Sequence, residues 1–361
     1  MKHSYAIILA GGGGTRLWPI SRRKHSKHVL PFLGGRTLFQ LTLDRLEGFI
    51  PIDHVFVVTV SDQVEDLKSQ APYIPTENFL IEPMPRGTAS AVGLAAAVLS
   101  KRDSEAVMLV LPSDHFIRDT NLFHSLLRVA IEAARKDYLV TLGITPTFPA
   151  TGYGYIKHGS LLPGKYDFPV YQALQFIEKP DEAKARMLLA KGDHSWNSGI
   201  FIWSTTGIMR EFSVQMPHLK QCLDRIGSVW GTKCQEEILK SSWSDLIPET
   251  IDYGIMEHAT SVAVLPADSL GWSDVGAWDS IFDVLQADKS GNVIVNSDHI
   301  SFETYKSLIY SSRNKLIVTI GVEDLIIVDS GDALLVCRRD QAQQVRQVIT
   351  KLKNTHQEEY L

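Results

Sequence analysis

A chain of 361 residues, 44% hydrophobic and 21% charged, can bury one large core or two smaller ones. Its net charge of −5 argues against a nucleic-acid partner, and no window nears the roughly 20 apolar residues of a membrane span. Three scattered cysteines, Cys222, Cys234 and Cys337, exclude a disulfide framework, and the run Tyr5 to Ala10 meets glycines too early for a signal peptide, so a cytoplasmic protein is expected.

Four short apolar runs bounded by breakers read as buried strands: 5–10, 54–60, 106–112 and 138–144. Between them, 37–49, 88–101 and 122–136 have helical spacing. Such alternation predicts a parallel sheet covered by helices on both faces, with ligands beyond the carboxyl ends of the strands. Gly11 and Asp114 both fall there. The middle mixes strands at 152–156, 173–180 and 197–203 with one helix over about 206–226. Gly276 to Leu285 reads as the last helix of this domain. After residue 287 the texture becomes β-rich, with short runs, polar turns and a final helix over about 341–353. We expect two domains, 1–287 and 288–361, the second solenoid-like.

The segment "AIILAGGGGTRLWPISRRKHSKHVLPFLG" (6–34) carries the first chemistry. Glycines after a strand bring backbone amides close to a ligand, and phosphate suits them. The spacing fits neither a Walker A loop nor G-x-G-x-x-G, and a tight turn without ligand is the plain alternative. Arg16 follows two residues later, placed to fork onto phosphate oxygens. Asp114, in "LPSDH", either caps a turn or, with a second carboxylate, binds Mg²⁺. The cationic run of Arg22, Arg23, Lys24 and Lys27 reads by itself as a solvated face. Thr88 is a reasonable N-cap for the helix that follows it.

"LAGGGGTRLWPISR" and "SKHVLPFLG" resemble the start of sugar-1-phosphate nucleotidylyltransferases, most of all the mannose-1-phosphate guanylyltransferases. "EPMPRGTASA", "LPSDHFI", "TGYGYI", "FIEKPD", "WNSGIFIW", "TIDYGIMEH" and "GWSDVGAWDS" follow in the family's order, so the resemblance covers nearly the whole chain. It implies a Rossmann-like α/β fold with a mixed sheet of the GT-A-like kind and a C-terminal domain like a left-handed β-helix. It also implies transfer of a nucleotidyl group from GTP to mannose 1-phosphate. Another sugar 1-phosphate, another triphosphate, or a non-catalytic nucleotide-sugar binder are the alternatives.

Carried over by matching position, the resemblance gives Arg16, Lys27, Asp114 and Asp274 catalytic roles, the two aspartates as the Mg²⁺ ligands. His115 reads as a neighbouring hydrogen-bonding residue. Leu9, Ala10, Gly11, Gly12, Gly13, Gly14 and Thr15 fall to the nucleotide, with Glu82, Arg86, Gly87, Thr88, Ala89 and Ser113. Gly154, Glu178, Lys179 and Asn197 fall to the sugar phosphate. Glu178 and Lys179 are adjacent, and strand neighbours point to opposite faces, so both reach one site only if the strand bends there. The sequence departs from the family's pattern at Ser26, His28 and Val29 around Lys27, and at Pro85 and Gly87 beside the base. Some relatives continue into an isomerase domain for which this chain, ending at Leu361, leaves no room, so a single transferase activity is expected. A homodimer is one arrangement the resemblance allows.

Overall fold

The computed structural model describes residues 1–12, 17–22, 31–33, 35–313 and 315–361, with backbone alone at 31–33 and 283. By internal contacts the chain forms two compact units. The first comprises Met1–Gly11, Arg45–Pro112 and Ile117–Trp272, the second Gly12–Asp44, Ser113–Phe116 and Ser273–Leu361.

The first unit is built on a nine-stranded mixed sheet. Its order is Phe79–Glu82, Val55–Val60, Ser4–Leu9, Val107–Pro112, His194–Ser204, Leu139–Ile144, Val262–Pro266, Tyr171–Ile177 and Tyr155–Leu161. The first four run parallel; three of them match the predicted runs 5–10, 54–60 and 106–112, and Phe79–Glu82 is an edge strand that the apolar runs do not predict. The fourth predicted strand, Leu139–Ile144, does not pair with Val107–Pro112. The 11-residue strand His194–Ser204 lies between them, antiparallel to both. That strand carries a bulge between Asn197 and Phe201, where Gly199 adopts φ +72°. The insertion pairs Phe201 with Val110 on one side and with Thr141 on the other, long-range pairings that local periodicity does not encode.

Helices follow their caps. Asp119 Oδ1 accepts from Leu122 N–H at 2.9 Å to start Thr120–Ala134. Ser204 Oγ accepts from Gly207 N–H at 3.0 Å to start Thr205–Gln215. The helix predicted over 206–226 is two helices, Thr205–Gln215 and Pro217–Val229. Pro217 has no N–H and drives Met216 out of the helical region, to φ −133° and ψ 59°, which ends the first helix. Of the helix predicted over 37–49, only Leu38–Asp44 is helical. The core of this unit packs the all-buried stretch Ala89–Leu99 against Leu219, Leu223, Trp243 and Ile255.

The second unit holds parallel β coils. Val293 pairs with Leu308, Leu308 with Ile326, and Asp298 with Leu316. The strand Leu334–Arg338 closes the stack in antiparallel fashion. Its core gathers Val293, Leu308, Tyr310, Ile326 and Val328 with Leu17, Trp18 and Trp278. The Trp278 indole N–H donates to Trp18 O at 2.9 Å. Helix Trp278–Val284, shorter than expected over 276–285, is packed here. Among the described residues no helix is long and apolar enough to cross a membrane.

Candidate functional site

In the first unit, Leu9 ends its strand and Ala10 is held on both sides. Ala10 N–H donates to Val58 O at 2.8 Å, and its carbonyl accepts from Thr59 Oγ1 at 2.8 Å. The chain then reaches Gly11, where a Cβ would sit 3.6 Å from Glu82 Oε2. Glu82 ends the strand Phe79–Glu82 and is 5% exposed. Its Oε1 has no hydrogen-bond partner among the described residues. Burial pushes this carboxyl up to about 7, against an Arg86 backbone hydrogen bond pulling the other way.

Residues 86–89 lie along the backbone of 249–251. The Arg86 carbonyl accepts from Glu249 N–H at 3.1 Å, and Ala89 N–H donates to Glu249 O at 3.2 Å. Two of the five N–H donors of the Arg86 guanidinium go to the carbonyls of Trp243 and Ser244. Thr88 is not the N-cap. Helix Thr88–Arg102 starts on Gly87 with no side-chain cap, and Thr88 Oγ1 accepts from Ile251 N–H at 2.9 Å instead.

The sugar-side residues converge at the opposite edge of the same sheet. A Cβ on Gly154 would sit 2.5 Å from Glu178 Oε2 and 3.4 Å from Asn197 Cβ, and Asn197 N–H donates to Gly154 O at 2.8 Å. The strand Tyr171–Ile177 stops just before Glu178, and Lys179 takes φ +42°. This left-handed turn ahead of Pro180 is uncommon for a residue with a side chain. It is the bend that lets Glu178 and Lys179 meet, their side chains forming an ion pair. The Glu178 side chain is 5% exposed, unlike a surface pair, and its Oε2 has no partner among the described residues.

Two residues that sequence reasoning missed complete this cluster. Asp252 Oδ1 accepts from Asn197 Nδ2 at 2.7 Å, and Glu257 Oε1 accepts from Glu178 N–H at 3.1 Å. Both lie in "TIDYGIMEH", which folds as a π-helical turn over Asp252–Met256. The motif was visible, but its contact with residues 178 and 197 is tertiary. Burial first, and the Glu178 charge second, push Asp252 up to about 6, against Lys179 and the Asn197 hydrogen bond.

In the second unit, Asp114 and Asp274 sit at the ends of paired segments. The strand Phe116–Ile117 pairs with Trp272–Ser273, so Asp114 precedes one strand closely and Asp274 directly follows the other. Ser113 is fully buried, and His115 Nε2 lies 3.9 Å from Asp114 Oδ1. Asp274 Oδ1 accepts from Gly276 N–H at 3.2 Å. Between them Val275, β-branched and buried, holds φ +42°. Such strain in a β-branched residue gathers at functional turns. Gly12 belongs to this unit too. Gly13, Gly14, Thr15, Arg16 and Lys27 lie outside the described residues.

Of the cationic run, Arg22 is described, and it is engaged. Its guanidinium makes a bidentate pair with Asp332, at 2.6 and 2.7 Å, and its Nε–H donates to Pro19 O at 2.9 Å. Arg22 holds the Asp332 carboxyl down at about 2.

Residues 5–291 match the family model for nucleotidyl transferases. Residues 297–352 match the MannoseP isomerase/GMP-like beta-helix domain. The chain is 34% identical to the mannose-1-phosphate guanylyltransferase of Escherichia coli K12, over 97% of this chain and 73% of that protein. It is 36% identical to mannose-1-phosphate guanylyltransferase ManC of Salmonella typhimurium, with the same coverage. This chain belongs to the mannose-1-phosphate guanylyltransferase family. It is thus a nucleotidyltransferase domain followed by a β-helix domain. A solved structure from Thermus thermophilus, described as a mannose-1-phosphate geranyltransferase, superposes with a TM-score of 0.87 at 33% identity. That match covers 97% of this chain and 99% of the other. A Helicobacter pylori structure described as mannose-6-phosphate isomerase, at 24% identity and TM-score 0.62 over 75% of this chain and 99% of that one, shares the fold.

In this chain the glycine at 87 has a physical reason. It holds φ +84°, and a Cβ there would lie 2.1 Å from Glu249 O. Backbone cannot yield as a side chain does. Gly87→Ala is therefore expected to destabilise the protein by about 3 kcal/mol, combining a strained φ with overpacking. Urea unfolding checks this, and an unchanged midpoint would show that the turn adapts.

Proposed function

We propose that this enzyme transfers a guanylyl group from GTP to mannose 1-phosphate, releasing pyrophosphate and forming GDP-mannose. A phosphate oxygen of the sugar phosphate attacks the α-phosphorus in line, and the bond to the bridging oxygen of pyrophosphate breaks. The attacking oxygen is already anionic near neutral pH, so no strong general base is needed. The difficulty is electrostatic, since unit charges 4 Å apart repel by about 4 kcal/mol at an effective dielectric of 20. Arg16 and Lys27 counter the triphosphate and the leaving pyrophosphate, and Lys179 counters the sugar phosphate. Positioning and fixed charge carry most phosphoryl-transfer catalysis.

Asp114 and Asp274 fit Mg²⁺. They are hard oxygen donors, and each lies beside one strand of the pair Phe116–Ile117 and Trp272–Ser273. Bound there, Mg²⁺ would supply charge neutralisation at the reacting phosphates.

The observation that carries the base assignment is Glu82. A buried carboxylate with an unpartnered oxygen suits a base offering two adjacent N–H donors, which is the Watson–Crick edge of guanine. Similarity to guanylyltransferases along 97% of the chain supports the same reading. Pyrophosphate release across a panel of triphosphates and sugar 1-phosphates, with and without Mg²⁺, tests it. Fastest turnover with another pair would overturn it.

Glu82→Gln adds a second check. Turnover with GTP is expected to fall by about 10- to 100-fold in kcat/KM, the worth of a bidentate base contact, while ATP turnover stays unchanged. Stability separates too. The Glu82 carboxyl lies above its ordinary 4.5, so its contribution is fully present below pH 4.5 and lost as pH rises through about 7. The ligand-free variant should therefore melt higher than wild type at pH 8 and equal to it at pH 4.5. Equal melting temperatures at both would mean that Glu82 is not held near 7.

A further inference from the structure

The carboxamide of Asn197 is locked at both ends by partners whose chemistry leaves no choice of orientation. Gly199 N–H lies 3.1 Å from one terminal atom, and a backbone N–H only donates, so that atom is the oxygen. The Thr141 hydroxyl lies 3.2 Å from the same oxygen and 3.1 Å from Ile200 O, and its single proton is shared between these two acceptors. Asp252 faces the other terminal atom at 2.7 Å, and an ionised carboxylate only accepts, so that atom is the nitrogen. The oxygen is thus turned to the Gly199 N–H, and the nitrogen keeps one N–H beyond the one given to Asp252. Beside it, over the bare α-carbon of Gly154, stands Glu178 Oε2, buried and without a partner among the described residues.

We propose that Asp252 is a positioning residue for the sugar phosphate: it fixes Asn197 as a hydrogen-bond donor, so that Asn197 and Glu178 form a donor–acceptor pair for a sugar hydroxyl. That hydroxyl accepts from Asn197 Nδ2–H and donates to Glu178 Oε2. This deepens the reading above and rests on it. The charges facing Asp252 are Glu178 and Lys179. Lys179 pairs with Glu178 through Oε1, which leaves Oε2 turned to the glycine. Without Asp252 the amide has no acceptor pulling its nitrogen, and its hydrogen bond to the hydroxyl loses a fixed direction.

Steady-state pyrophosphate release tests this in the intact enzyme. Asp252→Leu, which removes the acceptor, is expected to raise KM for mannose 1-phosphate at least about tenfold, the worth of one oriented hydrogen bond, and to leave KM for GTP within about twofold. Asp252→Ala, which removes it with less bulk, should produce the same split and decides the matter if Asp252→Leu does not fold. In an Asn197→Ala background, Asp252→Leu should add less than about twofold, because the residue it positions is gone. Additive effects, or equal rises in both KM values, would overturn the proposal and leave Asp252 a fold residue. If wild type turns over a different sugar 1-phosphate, the substrate reading fails, and the same split measured on that sugar still decides the role of Asp252.

Discussion

Asp274→Asn is expected to lower kcat by about 10³-fold with the fold intact. The variant loses one of two negative charges proposed to hold Mg²⁺, and with it the charge neutralisation on which the transfer depends. It keeps the turn, because an asparagine oxygen can still accept from Gly276 N–H as Asp274 Oδ1 does at 3.2 Å. Activity and stability should therefore separate. Turnover is measured against Mg²⁺ concentration, and melting temperature on the same preparation. Full activity at ordinary Mg²⁺ would remove the metal assignment, and a large drop in melting temperature would show that the carboxylate serves the turn.

Lys27→Ala is expected to lower kcat/KM by at least about 10²-fold, the size of effect that follows loss of one preorganised charge-stabilising donor. Arg22, five residues earlier in the same cationic run, provides the contrast. Its guanidinium is tied to Asp332, Ser330 and Pro19, so Arg22→Ala should reduce stability and leave catalysis near wild type. Equal catalytic losses in both variants would mean that the run acts only through its summed charge. Wild-type kcat/KM in Lys27→Ala would discard the assigned role.

Net charge and spacing treat all the cations of this run alike. The partner that engages Arg22 is Asp332, some 310 residues away, which no local pattern announces. The same holds at Glu178 and Lys179. As strand neighbours they should face apart, and only the left-handed turn at Lys179 brings their side chains together. Asp252 was unreadable as a partner of Asn197 because the two are 55 residues apart in sequence. Thr88 had the composition of a cap, yet its hydroxyl serves Ile251 across a tertiary contact.

Read alone, the amino-acid order settled three of the four strands in the parallel half of the sheet, the β-rich character of the C-terminal segment and the family. Those rest on local properties: buried β-branched runs, breakers at their ends, and short motifs in a fixed order. Tertiary structure alone decided that His194–Ser204 enters between two predicted neighbours, that Gly87 must lack a Cβ, and that Glu82 and Glu178 each keep a buried oxygen without a partner among the described residues. The physical reason is range. Propensity and periodicity act over a few residues, whereas burial, steric approach and the pairing of charges depend on which distant segments the folded chain brings within a few ångströms.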